Sequence, residues 1–159
     1  MLERIENDKE LTFGEYSMAI QNYLYDQIDA IFDDCSGIRI YHDGNIKEIK
    51  KGTKEFEEII KQWQIDCKNG YEMPAYFVAL PKESAEDMKS GLHIEFLFDE
   101  TRTHNEMPFD ALVLKLVPSQ YGYTLTRHHD GIYEGRCYHL HRFEPTNELL
   151  EIVSSLIEK

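Results

Sequence analysis

The sequence predicts an α+β fold: a mainly antiparallel sheet of about six or seven strands, with two long helices and a C-terminal helix packed on one face. Two observations lead to this prediction. Helical patterns lie near the two ends of the chain and after the first pair of strands, whereas a long run of strand patterns fills the space between. Short turns join the predicted strands, and turns of that length connect antiparallel neighbours. We expect a single domain over residues 1–159, with residues 1–10 as a mobile segment.

Capping residues and apolar stripes predict the helices. Thr12-Phe13-Gly14-Glu15 is a capping box, in which the threonine hydroxyl and the glutamate satisfy free backbone amides, and apolar residues recur behind it at helical spacing. Trp63 belongs to a second such stripe. The predicted helices are one over residues 12–33, one between Thr53 and Asn69, a short turn over 84–89, and a C-terminal helix entered through Glu144-Pro145-Thr146.

Alternating or continuous apolar runs, bounded by turn residues, predict the strands. Asp43-Gly44 and Asp130-Gly131 each mark a hairpin, because both residue types accept the positive φ that a two-residue turn requires. The apolar run between Pro74 and Pro81 is typical of a central strand. The predicted strands cover residues 38–41, 46–49, 75–80, 92–98, 109–117, 121–129 and 132–141.

The charge is strongly acidic and unevenly distributed. The formal net charge is −13, and residues 1–34 and 82–110 together carry −12 of it. Nucleic acids and anionic membranes attract basic surfaces, so neither is expected as a partner. An acidic protein is instead complementary to a basic protein.

The N-terminal residues and the cysteines indicate the cellular compartment of the protein. Residues 1–8 lack the basic and apolar regions of a signal peptide, and the three cysteines form no Cys-x-x-Cys motif. Sparse cysteines of this kind are typical of reduced thiols, so we expect a cytoplasmic protein.

Two strands carry residues that can bind a metal ion. His93 and Glu95 are two residues apart on one strand, and His139 and His141 are two apart on another. Side chains at that spacing point to the same face, about 6–7 Å apart. If the two strands were neighbours, the four residues would form a divalent metal site, as a metal-dependent hydrolase requires.

The second hairpin combines tyrosines with arginines, which protein interfaces favour. A two-residue turn at Asp130-Gly131 would place Arg127 opposite Glu134 and Tyr123 opposite Tyr138, both favourable pairs. The predicted binding surface consists of Tyr123, Arg127, Glu134, Arg136 and Tyr138.

Three functions follow, and we identify no catalytic residue. The chain has no nucleotide-binding loop, nucleophile elbow or His-Glu-x-x-His motif. The first hypothesis is a non-catalytic acidic module without cofactor, of the inhibitor or immunity type, whose partner is a basic protein or a second copy. The alternatives are the metal-dependent hydrolase and a small-ligand sensor with an apolar pocket between helix 12–33 and the sheet.

Overall fold

The computed structural model describes residues 28–75, 86–104 and 106–158. These residues form a mixed helix and strand structure around a seven-stranded antiparallel sheet, which confirms the predicted class. The helical elements are a 3₁₀ helix (Ile28–Asp34), α1 (Lys54–Lys68) and α2 (Glu148–Ile157). The strands are β1 (Gly37–His42), β2 (Asn45–Lys50), β3 (Tyr71–Ala75), β4 (Leu92–His104), β5 (Met107–Lys115), β6 (Gln120–His129) and β7 (Ile132–Thr146).

Both predicted Asp-Gly hairpins are confirmed. Asp43 and Gly44 have φ angles of 48° and 87°, and Asp130 and Gly131 have 52° and 81°. Positive φ at both central residues is the type I′ turn, whose twist matches that of the strands it joins. These turns set the pairing of β1 with β2 and of β6 with β7 at the hairpin ends.

The strand order in the sheet is β2-β1-β4-β5-β6-β7-β3. β4 therefore pairs with β1 and β5, and two strands separate it from β7. The β6–β7 ladder is irregular: His128 pairs with Tyr133, but the next pair is Thr126 with Cys137. β7 thus has two extra residues at this point, and a bulge of this kind bends and twists the sheet locally.

One hydrophobic core joins the helices to one face of the sheet. Trp63 of α1 is fully buried, and its ring lies 5.5 Å from that of Phe32 and 5.1 Å from that of Tyr123. Phe32 also meets Phe96 at 4.9 Å. Leu149, with the other apolar residues of α2, belongs to the same core. The region between the 3₁₀ helix and the sheet is therefore solid in the described part of the chain.

α1 begins and ends where the sequence predicts. The Thr53 hydroxyl accepts a hydrogen bond from the amide of Phe56, and Asn69 follows the last helical residue. α1 is the only described helix longer than ten residues. Of the predicted helix 12–33, residues 28–33 lie in the 3₁₀ helix and the remainder lies outside the described residues.

Two other predicted elements are described in part. Of the strand expected over 75–80, only Ala75 is described; it ends β3, which pairs with β7 alone in the described sheet. Residues 86–87 of the expected turn over 84–89 are helical. Within the described residues, every helix is too short or too polar to cross a membrane.

Candidate functional site

The sheet face opposite the helices carries two buried polar residues of β4. Glu95 is 2% exposed and His93 is 3% exposed, and they alternate with the core residues Ile94 and Phe96. Charged side chains are almost never this deeply buried without a partner. Glu95 therefore needs an explanation in terms of its neighbours.

Glu95 accepts a hydrogen bond on each carboxylate oxygen. The Tyr41 hydroxyl donates to Oε1 and the Tyr133 hydroxyl donates to Oε2, both at 2.7 Å. Nη1 of Arg39, the cross-strand neighbour of Glu95, lies 3.8 Å from Oε1. Hydrogen bonds to an ionised group are stronger than neutral ones, so these two hydroxyls offset much of the cost of burying the carboxylate.

The two tyrosines remain hydrogen-bond donors because their hydroxyls hold their protons. Burial, followed by the hydrogen bond and charge of Glu95, raises the pKa of Tyr41 above its ordinary value of 10.0. Burial and then the Glu95 charge raise the pKa of Tyr133 in the same direction. Both side chains are therefore neutral at neutral pH and keep the protons that they donate to Glu95.

Tyr133 and Glu95 reach each other because the sheet curls. Tyr133 lies on β7 and Glu95 on β4, with β5 and β6 between them. In a flat sheet these strands would be about 14 Å apart, three spacings of roughly 4.8 Å, and side chains that stand perpendicular to the sheet would not meet across that distance. The 2.7 Å hydrogen bond shows that this face is concave, as the bulge beside Tyr133 favours.

His93 lies beside this cluster and is tied to an exposed carboxylate. Its Nε2 is 3.2 Å from Asp87 Oδ2, and Lys115 Nζ is 3.5 Å from the other oxygen of Asp87. Nδ1 of His93 is buried without a hydrogen-bond partner among the described residues. Tyr41 is the cross-strand neighbour of His93, so the imidazole and the Glu95 cluster share one face.

An open pocket adjoins the two tyrosines. It has a volume of about 240 Å³ and is lined by Tyr41, Gly44, Ile46, Met88, Lys89 and Tyr133, and we name it the tyrosine pocket. Met88 is buried, whereas Ile46 at the rim is 58% exposed. Two larger surface grooves border α2, but no buried charged side chain lines them. Of these three cavities, the tyrosine pocket is the one whose lining residues donate hydrogen bonds to a buried acidic side chain.

The predicted metal site is not formed. His93 and Glu95 do share a face, and the rings of His139 and His141 are 6.3 Å apart, but β5 and β6 separate the two pairs. No group of three or more His, Cys, Asp or Glu able to hold a metal ion occurs among the described residues. The condition for that site, that β4 and β7 be neighbours, is not met in this strand order, which depends on long-range pairing.

His139 has a local environment of its own. Its Nδ1 lies 3.3 Å from the Thr124 hydroxyl. Burial, and then the nearby His141, lower the pKa of His139 below 6.5.

Most of the predicted binding surface is buried. Tyr123 and Tyr138 are 2% and 0% exposed, and Arg127 is 5% exposed. The Tyr138 hydroxyl donates to the carbonyl oxygens of His104 and Met107, at 2.7 and 2.9 Å. Tyr123 and Tyr138 belong to the core and Arg127 is buried, so none of the three is exposed as a binding surface would require.

The register error has a specific cause. The bulge pairs Tyr123 with Leu140 and Leu125 with Tyr138, so neither Arg127 with Glu134 nor Tyr123 with Tyr138 is a register pair. Glu134 is half-buried, and the side chain of Arg136 lies outside the described part of the chain.

Sequence analysis missed Tyr41 and did not assign Tyr133 to a site. One signal was available: Glu95 lies between the apolar residues Ile94 and Phe96, in the apolar half of β4, where an acidic residue is unusual. The signal identifies the acid but not its partners, which come from β1 and β7. No family model, no curated protein and no solved structure matches this chain.

Proposed function

We propose that this chain is a non-catalytic acidic module that binds a basic partner protein through the tyrosine pocket. The observation that carries the proposal is the enclosed Glu95 carboxylate beside an open pocket. Each of its oxygens already accepts a tyrosine hydrogen bond, and the residue is 2% exposed. A general base must come within hydrogen-bond reach of its substrate. In this proposal the Glu95 carboxylate instead holds the two tyrosines that line the pocket.

The environment of His93 also supports a non-catalytic role. Nε2 of His93 faces Asp87, and its Nδ1 has an accessible area close to zero. Neither nitrogen is presented to the pocket as a proton acceptor. The pocket instead offers aromatic rings, the thioether of Met88 and an exposed isoleucine, the kind of surface that contacts another protein.

The negative net charge of the chain favours a basic partner protein. A net charge of −13 attracts basic proteins over long range and repels acidic ones. In this proposal the protein acts in the cytoplasm as one domain.

Affinity capture from the cells that produce the protein tests the proposal. The tagged full chain is compared with Ile46→Lys, which places a positive charge at the pocket rim, and with Ile65→Lys, the same change at a 41% exposed position on α1. We expect the wild type and Ile65→Lys to recover the same basic protein, and Ile46→Lys to recover at least tenfold less.

Salt and mass measurements complete this test. Recovery should fall as ionic strength rises, because salt screens exposed charges. Recovery of no basic protein, or equal recovery by both lysine variants, would overturn the proposal. A mass of twice the monomer in light scattering, abolished by Ile46→Lys, would replace the basic partner by a second copy of the chain.

A further inference from the structure

We propose that the tyrosine pocket takes the side chain of one arginine of the partner, with its guanidinium against the rings of Tyr41 and Tyr133. This inference rests on the proposed function and names the group that the pocket recognises.

The size of the pocket fits a single side chain. Sites for small-molecule ligands and cofactors usually measure about 300–1,000 Å³. The tyrosine pocket, at about 240 Å³, is smaller than that range. One long side chain projecting from a partner is a better match than a free ligand.

The hydroxyl groups of the two lining tyrosines are already engaged, which leaves their aromatic rings to contact an occupant. The hydroxyls of Tyr41 and Tyr133 both point to Glu95, so they are not free to bind a ligand. A phenol that donates to a carboxylate is polarised by it, which increases the electron density of its ring. The faces of such rings attract cations, and the attraction grows when water is excluded.

The charges around the pocket favour a cation as well. Lys89 lies 2.9 Å from Glu86, and Arg39 lies 3.7 Å from Glu48 in addition to its contact with Glu95. The cations at this site therefore already have acidic partners. Together with the contact of Lys115 with Asp87, these ion pairs join three cations to four carboxylates, an excess of one negative charge beside the residues that line the pocket.

Arginine fits these features better than lysine. Its guanidinium is planar, stacks on aromatic rings and is less strongly hydrated than an ammonium group. Arginine is also enriched at the centres of protein interfaces, whereas lysine is depleted there.

A comparison of arginine with citrulline tests the inference on the free protein. The probe is Nα-acetyl-arginine methylamide, and the control is the citrulline derivative, which has nearly the same shape but no charge. The methyl resonance of Met88 in methionine-labelled full-length protein reports binding. We expect a saturable shift with arginine, at least fivefold weaker binding of citrulline, and intermediate binding of the lysine derivative.

Variants locate the binding to the pocket. Tyr133→Leu should weaken arginine binding about five- to tenfold, the effect of one aromatic ring on a cation, whereas Tyr121→Leu, at a 58% exposed tyrosine, should not change it. Ile46→Lys, which changes an exposed residue and leaves the Glu95 hydrogen bonds intact, should weaken arginine but not citrulline binding. This second variant keeps the test decisive if Tyr133→Leu does not fold.

The outcomes separate this inference from the proposed function. Equal binding of arginine and citrulline, or an unmoved Met88 resonance, would overturn the arginine pocket. If Ile46→Lys still abolished partner capture in that case, the pocket would remain a protein-binding site for a different side chain. Arginine binding without capture of any basic protein would support the inference and contradict the proposed function.

Discussion

The Tyr133 hydroxyl donates to Oε2 of Glu95 at 2.7 Å, although the two residues lie on strands separated by two others. This one hydrogen bond closes the concave face of the sheet over a buried carboxylate. The Tyr41 hydroxyl donates to the other oxygen of Glu95 from β1. The same two tyrosines line the pocket that we propose as the binding site. The stability of this face and its proposed binding function therefore depend on the same residues.

Tyr133→Phe should destabilise the protein by about 1–3 kcal/mol, because it leaves one oxygen of a buried carboxylate without its hydrogen bond. Urea denaturation measures the change as a lower midpoint. Tyr121→Phe removes a hydroxyl from an exposed tyrosine and should leave the midpoint unchanged. Identical midpoints for the two variants would contradict the role assigned to the Tyr133 hydroxyl.

Arg142→Met should destabilise the protein by about 3 kcal/mol at pH 7, since it leaves the Asp66 carboxylate, 1% exposed, without the guanidinium that lies 2.7 Å away. Burial already raises the pKa of Asp66 above 3.8, and the loss of Arg142 raises it further. The exposed pair Arg102–Asp34, at 2.8 Å, supplies the control Arg102→Met, with an expected loss of about 0–1 kcal/mol.

The stability of the Arg142→Met variant should depend on pH. An acid whose folded pKa is raised contributes stability below its unfolded pKa and loses it as the pH rises through the folded value. Acidification from pH 7 toward pH 5 should therefore reduce the deficit of Arg142→Met relative to wild type. Thermal unfolding across this range checks it, and a deficit that is constant with pH would show that Asp66 is not the group responsible.

Gly122→Ala should destabilise the protein by about 1–3 kcal/mol through overpacking. A Cβ at Gly122 would lie 2.6 Å from the carbonyl oxygen of Leu140, a backbone atom of the paired strand that cannot turn aside. Gly37→Ala is the matched control in β1, because its nearest contact is a leucine side chain at 3.7 Å. Unfolding free energies from denaturant titration compare the two, and equal losses would contradict the close approach of β6 and β7.

Cys35 should resist alkylation in the folded protein. Burial raises its pKa to about 11, and the residue is 1% exposed, so little reactive thiolate is present at pH 8. Iodoacetamide labelling followed by peptide mass analysis should show modification of Cys35 only after denaturation. Equal labelling rates in native and denatured protein would contradict this environment.

The parts of the fold that follow from local chemistry could be predicted from the sequence. Asp43-Gly44 and Asp130-Gly131 accept the positive φ that a two-residue turn requires and therefore favour their hairpins, and the stripe containing Trp63 specifies α1 from cap to cap. These features depend on residues close together in the chain. The antiparallel character of the sheet followed from the short turns between strands.

The site could not be predicted in the same way. The Glu95 cluster depends on the order of the strands and on a bulge in β7, and both are long-range properties. Tyr123 and Tyr138 were assigned to the surface because tyrosine is common at interfaces. The alternation of Tyr123 and Leu125 with Thr124 and Thr126 indicated a core-facing side, and that pattern was the better guide.

The most direct test of the central claim is the affinity of the captured partner for two variants of equal charge. Isothermal titration calorimetry would compare Ile46→Lys at the pocket rim with Ile65→Lys on α1. Binding through the tyrosine pocket predicts that Ile65→Lys stays within about twofold of wild type and that Ile46→Lys binds at least tenfold more weakly, a difference of about 1.4 kcal/mol. Equal affinities for the two variants would contradict the assignment of the pocket as the binding site.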